Sequence, residues 1–142
     1  MPKQDISVTT DCVVIFKNDR SEKILLVKRK KDPFKNSWAI PGGFLEKDEP
    51  LEVGAIRELK EETGLELKEV SQLKAFGKVH RDPRGRTISV AFYGVVTSEE
   101  KVQGNDDAAD AKWFHVENLP DLAFDHAEIV KYALATFHSK KS

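Results

Sequence analysis

The stretch from Gly43 to Leu65, GFLEKDEPLEVGAIRELKEETGL, decides how the rest of the chain is read. It carries seven acidic residues (Glu46, Asp48, Glu49, Glu52, Glu58, Glu61 and Glu62) against three basic ones (Lys47, Arg57 and Lys60). Its second half has the marks of one helix. Pro50 suits a first turn, where a missing N–H is harmless, and Gly64 suits the position just past the end, where a left-handed backbone is wanted. Leu51, Ala55, Ile56 and Leu59 recur at helical spacing and give the helix a face to bury. Glu58, Glu61 and Glu62 stand at i, i+3 and i+4, where like charges weaken an isolated helix by roughly a few tenths of a kcal/mol. Carboxylates kept together in this way call for a counter-charge. Hard cations such as Mg²⁺ and Mn²⁺ take oxygen ligands. A metal so held polarises phosphate oxygens and makes a bound water nucleophilic near neutral pH, so the expected substrate is a phosphate ester or anhydride. The competing reading of the triplet is an ordinary solvated helix surface.

Outward from this stretch, the 142 residues suit one domain, 1–142, with a real core. A net charge of −1 argues against a dedicated nucleic-acid binder, which carries a strongly basic face. The single cysteine, Cys12, excludes an internal disulfide and fits a reducing compartment; it lies in an apolar run and reads as a packed core thiol. The first residues lack the apolar region of a signal peptide, and no run approaches a membrane span, so the expected location is cytoplasmic. Val8–Phe16 and Ile24–Lys30 read as a strand hairpin, and Trp38-Ala39-Ile40 as a short extended piece before a flexible Pro41-Gly42-Gly43 turn. Glu66–Val79 reads as connecting strand, Thr87–Thr97 as a central strand and Ala111–His115 as a short one. A final helix is expected from about Asp125 to His138, opened by an Asp125/Glu128 capping pair and followed by a frayed tail. The order strands, helix, strands, helix suggests an α/β chain whose mixed sheet carries a helix on each face.

Counting from Gly43 gives five residues to Glu49, seven more to Arg57, then Glu58-Leu59-Lys60-Glu61-Glu62-Thr63-Gly64-Leu65. This resembles the Nudix box, G-x5-E-x7-R-E-U-x-E-E-x-G-U with U bulky and aliphatic, at nine of nine specified positions. Trp38 to Gly43 looks like the usual entry to that box, and Trp113-Phe114 like the family's late aromatic strand. The resemblance implies a Nudix-type α/β/α sandwich with a mixed central β-sheet, and hydrolysis of a nucleoside diphosphate linked to another moiety. It implies Glu58, Glu61, Glu62 and the backbone carbonyl of Gly43 as ligands of Mg²⁺, with Mn²⁺ as a substitute. Arg57 and Glu49 would orient carboxylates or hold a loop, and Gly64 would be structural. The reaction would be water attack on one phosphorus of a pyrophosphate.

Arg81 to Arg86, Asn105 to Phe114 and Leu122 to Glu128 are similar to a bacterial and archaeal ADP-ribose pyrophosphatase subgroup, which would cut ADP-ribose to AMP and ribose 5-phosphate. One departure stands out. Such enzymes often carry a proline about 15 residues beyond the box glycine, where this chain has Val79. A nucleoside triphosphate pyrophosphatase is the alternative, and a ligand-sensing module without catalysis a third; the intact box and the few residues after the last helix speak against the sensor. Arg29, Arg81, Arg84 and Arg86 are candidates for gripping phosphate or ribose, because guanidinium forks suit phosphate oxygens, although Arg81 could equally pair a neighbouring carboxylate. Asp107 is the candidate base on a late loop, with Asp106 and Asp110 beside it. Phe34, Trp38 and Phe92 could stack a base but are the residue type of a core. His126, in the first turn of the last helix, reads as a surface or capping-region residue ahead of a catalytic one, and the four histidines show no zinc spacing. The expected partners are a nucleotide-type small molecule and a second copy in a homodimer, with no nucleic acid and no membrane.

Overall fold

The structure, a computed structural model, describes residues 3–140. The expectations for residues 1–2 and 141–142 lie outside the described residues. Strand β1, Ser7–Lys17, is the spine of the sheet. It turns into β2, Glu22–Arg29, as an antiparallel hairpin with Ile15 opposite Ile24. Asn18 closes the turn, its Oδ1 accepting from the backbone N–H groups of Arg20 and Ser21. Strands β3 (Trp38–Ala39), β4 (Gly42–Phe44), β5 (Ser71–Phe76), β6 (Thr87–Val96) and β7 (Ala108–His115) complete a seven-stranded sheet in the order β3-β2-β1-β6-β5, with β4 added to β1 and β7 to β2. Strands β1 and β6 run parallel, from Ser7 opposite Thr87 to Phe16 opposite Val96, and the other pairings are antiparallel. The sheet is mixed, as expected.

Helix α1, Leu51–Thr63, and helix α2, His126–Ser139, cover opposite faces. Successive residues of β1 point to opposite sides. Cys12 and Val14 pack with Ala55 and Leu59 of α1, while Val13 and Ile15 pack with Ile129, Val130, Ala133 and Phe137 of α2. Each fully buried aliphatic side chain contributes about 1.5–3 kcal/mol, so this alternation along one strand ties both helices to the sheet. Cys12 is fully buried, and burial pushes its thiol up to about 12. Among the described residues no helix is long and apolar enough to cross a membrane.

Several elements differ from the sequence expectation. Pro50 stands just before the first turn of α1 and not in it, whereas Gly64 closes the helix as expected with φ 80°, its N–H reaching the Lys60 carbonyl at 2.9 Å. The supposed flexible turn at 41–43 is in part strand β4, held against Thr9, Thr10 and Asp11 of β1. Only Ser71–Phe76 of the 66–79 segment is strand, because only those residues find partners on β6. β7 starts at Ala108 because pairing with β2 extends as far as Arg29. Asp125 precedes α2 but makes no side-chain capping bond, because its carboxylate is held by Arg81. The helix continues through Ser139, where a frayed tail was expected.

Candidate active site

A cleft of about 340 Å³ opens where β1, β4 and α1 meet the 81–84 and 124–126 segments. One wall is the acidic stretch. Glu62 leaves the last turn of α1, and its Oε1 accepts the Gly42 N–H at 2.8 Å. Glu58, one turn earlier, lies so close to Gly43 that any Cβ there would overlap its carboxylate; a Cβ on Gly42 would overlap Asp11 Oδ1. The two glycines therefore let backbone and carboxylates share this corner. Burial pushes Glu62 up to about 8, with Glu58, Asp11 and Asp107 adding in the same direction against the Gly42 hydrogen bond. Burial also raises Glu58, partly offset by Arg57.

Arg57 gathers the other carboxylates. It forks onto Glu49 through Nε and Nη2, the latter at 2.9 Å, and its Nη1 reaches Glu58 at 2.8 Å and Glu61 at 3.1 Å. The Glu49 carboxyl is held below its usual range by this hydrogen bond, and in turn accepts the Glu46 N–H at 3.1 Å. Glu61 faces Arg57 and is absent from the cleft lining. Among the described residues no three His, Cys, Asp or Glu side chains already form a closed metal cage. The donor chemistry nevertheless fits a hard divalent cation: Glu58, Glu62 and the Gly43 carbonyl offer oxygen only, and burial and neighbouring carboxylates oppose the charge of Glu62. A buried uncompensated carboxylate is costly, and a bound cation removes that cost.

The opposite wall is assembled from distant segments. Arg81 is nearly buried and grips Asp125 through Nε at 2.8 Å and through Nη2. Arg84 binds Asp82 with Nη2 at 2.7 Å and lies over the rings of Phe44 and Phe124, at 4.7 and 5.4 Å. Arg29, lowered by burial and by the Arg84 charge, donates to the Pro33 carbonyl at 2.7 Å and lies 5.1 Å from the Phe124 ring centre. Phe34 and Phe124 meet at 4.8 Å, and both have positive φ, 61° and 54°. Such backbone costs about 1–3 kcal/mol per bulky residue and persists only where surroundings impose it. Asp107 reaches the cleft because the preceding loop is pinned to the end of α1: Gln103 and Asn105 donate to the free carbonyls of Thr63 and Glu62 at 3.2 and 3.0 Å.

Arg29, Arg81, Arg84, Asp107, Gly43, Glu58 and Glu62 thus share one cleft. Arg86 does not; it donates to the carbonyl of Gly77 at 2.7 Å and lines a separate depression with Val79 and His80. Asp106 and Asp110 stay outside the cleft lining. Phe92 is buried core, and Trp38 packs edge-on against Phe114. His126 corrects its sequence reading. It is 5% exposed, sits on the cleft floor and accepts the Ile40 N–H through Nδ1 at 3.0 Å. Sequence reasoning also passed over Asp11, although an acid inside the strand stretch TTDCVVIF was a signal.

The NUDIX domain model matches residues 8–133, nearly the whole of this framework. The chain belongs to the Nudix family. Over 113 residues, 80% of the chain, it is 48% identical to an ADP-ribose pyrophosphatase of Methanocaldococcus jannaschii. Over 137 residues it is 32% identical to the ADPR responsive transcriptional repressor NtrR of Acinetobacter baylyi. These matches span 66% and 55% of the two relatives' lengths. The NUDIX domain of Shewanella oneidensis NrtR, solved as a complex with ADP ribose, superposes with a TM-score of 0.86 at 31% identity, covering 95% of this chain and 90% of that one. The Nudix α/β/α architecture expected from the box is therefore present.

Proposed function

We propose that this chain is a Mg²⁺-dependent Nudix pyrophosphohydrolase that cleaves a nucleoside diphosphate linked to another moiety, with ADP-ribose giving AMP and ribose 5-phosphate. The observation that carries the reading is the cleft itself, where Glu58 and Glu62 stand opposite Arg29 and Arg84. A pyrophosphate bridging cation-held carboxylates and guanidinium groups suits both walls. The Methanocaldococcus relative favours ADP-ribose over a nucleoside triphosphate.

In this reading Glu58, Glu62 and the Gly43 carbonyl hold the cation, and Glu61 joins them by leaving Arg57. When bound, the cation supplies charge neutralisation at the phosphate and a more acidic water. Arg57 fixes Glu58 and Glu49, and so the corner against which substrate is placed. Arg29 and Arg84 orient phosphate oxygens. Asp107, or a box carboxylate, takes the proton from the attacking water. Val79 lines the depression beside Arg86 and not this cleft, and has no part in the assignment. The substrate is a small nucleotide in a cytoplasmic setting, and no nucleic-acid surface is invoked.

The test is a panel of ADP-ribose, other ADP-sugars, dinucleotides and nucleoside triphosphates with Mg²⁺ or Mn²⁺. Products are identified in ¹⁸O-water to mark the phosphorus attacked. ADP-ribose is expected to turn over fastest, and silence across the panel sinks the reading. The similarity to an ADPR responsive repressor favours one second reading, a domain that binds the same ligand without cutting it; tight binding with no product selects it.

A further inference from the structure

Two groups on the cleft floor keep one hydrogen-bonding atom unused while the other is fixed by the fold. Asp11 is 5% exposed; its Oδ2 accepts from Thr9 Oγ1 at 2.8 Å and from Ser89 Oγ at 2.5 Å. Its Oδ1, lying against Gly42, has no hydrogen-bond donor among the described residues. His126 accepts the Ile40 N–H through Nδ1. Accepting there requires Nδ1 to be unprotonated, and burial, with Arg81 and Arg29 acting in the same sense against Asp11 and Asp125, lowers the pKa and favours the neutral ring. A neutral ring that accepts at Nδ1 carries its proton on Nε2. No acceptor among the described residues meets Nε2. The floor therefore presents one unused acceptor and one unused donor, both lining the same cleft.

A phosphate oxygen is a poor match, because it would face the Asp11 carboxylate. A hydroxyl is a good one, since it donates and accepts at once. We propose that Asp11 and His126 form a hydroxyl-recognition pair for the terminal sugar of the substrate, the hydroxyl donating to Asp11 Oδ1 and accepting from His126 Nε2–H. The pair makes the cleft selective for a sugar-bearing diphosphate over a bare one. It rests on the ADP-ribose reading for the identity of the sugar.

The test uses calorimetric binding, with Mg²⁺ present, of the uncleavable methylene-bridged analogues of ADP-ribose and of ADP, which lacks the sugar. His126→Asn keeps an acceptor for Ile40 and removes the Nε2 donor. It should weaken the ADP-ribose analogue about tenfold, the worth of one hydrogen bond, and leave the ADP analogue within about twofold. His126→Gln, whose amide nitrogen can reach the Nε2 position, should recover part of the loss. In Asp11→Asn the side-chain oxygen stays with Thr9 and Ser89, turning the amide NH₂ toward the cleft, so the sugar-specific loss should recur. Equal loss for both analogues, no loss for either, or a wild type that fails to bind the ADP-ribose analogue overturns the pair. Should a variant lose its fold by circular dichroism, an analogue with hydrogen in place of each terminal ribose hydroxyl tests the wild type directly. It must bind about tenfold more weakly, and equal binding again overturns the pair. A wild type that binds but does not hydrolyse ADP-ribose defeats the enzymatic reading and leaves this cycle to be judged on its own numbers.

Discussion

The two walls of the cleft are built on opposite electrostatic plans. The α1 wall, continuous in sequence from Gly42 to Glu62, holds Glu62 where burial and the neighbouring carboxylates of Glu58 and Asp11 all oppose its charge. On the far wall, residues 81–84 and 124–126 close their charges on one another: Arg81 on Asp125 and Arg84 on Asp82. A wall that neutralises itself is scaffold first. A wall that leaves charge unmatched stores a binding site at the expense of stability. Substitutions on the two walls should therefore move stability and activity in different directions.

The largest effect on stability is expected from Asp125→Ala. It strands the nearly buried Arg81 charge, and losing one partner of such a pair costs about 3–5 kcal/mol. Chemical denaturation should show the fall in midpoint with an unchanged slope, and a change below about 1 kcal/mol would make the far wall no more than a surface clasp. Glu62→Gln should do the reverse. Turnover is expected to drop about 10²–10³-fold, as when one stabilising contact to developing charge is lost. The melting temperature of the metal-free protein at pH 8 should rise, because a buried charge has gone. An unaltered rate would remove Glu62 from the site.

The pH dependence of metal-free stability separates the walls further. Glu62 is raised to about 8 in the fold, so the native state holds a proton that the unfolded chain has already released. Its contribution is present at low pH and is lost as pH rises toward and through about 8. His126 is depressed, so its contribution is present above the ordinary histidine range and is lost as pH falls below it. Thermal melts should therefore show Glu62→Gln flattening the fall in stability between the ordinary carboxylate range and about 8, and His126→Asn flattening the loss below the ordinary histidine range. The smallest effect is expected from Lys31→Ala. Its pairing with Asp107 at 3.6 Å is exposed on both sides, and the loss should stay within about 0.5 kcal/mol.

The contrast between the walls also explains what the sequence disclosed. The α1 wall is local: the spacing of Glu58, Glu61 and Glu62 places them on one helix before any tertiary contact is known. The apolar run Val8–Phe16 and the left-handed close at Gly64 are local as well, and so the sandwich was legible. The far wall needs pairings across 44 residues, as for Arg81 with Asp125, and no local pattern announces them. Asp125 illustrates the ambiguity. Asp followed three residues later by Glu is a sound capping signal, but a buried guanidinium competes for the same carboxylate and wins. His126 was misread for the same reason. Its partner Ile40 lies 86 residues away, and only the fold brings that N–H to the ring.

The sealed position of Cys12 gives the molecule a built-in reporter. It is the chain's one thiol, and a group pushed up to about 12 and fully covered reacts with an alkylating reagent only when sheet and helix part. Labelling at that atom is therefore a clock for opening of the whole framework. Any small molecule that binds only the closed form slows the clock by a factor of 1 + [L]/Kd. Candidate ligands can thus be ranked by the rate at which one sulfur is modified, whether or not the protein cuts them.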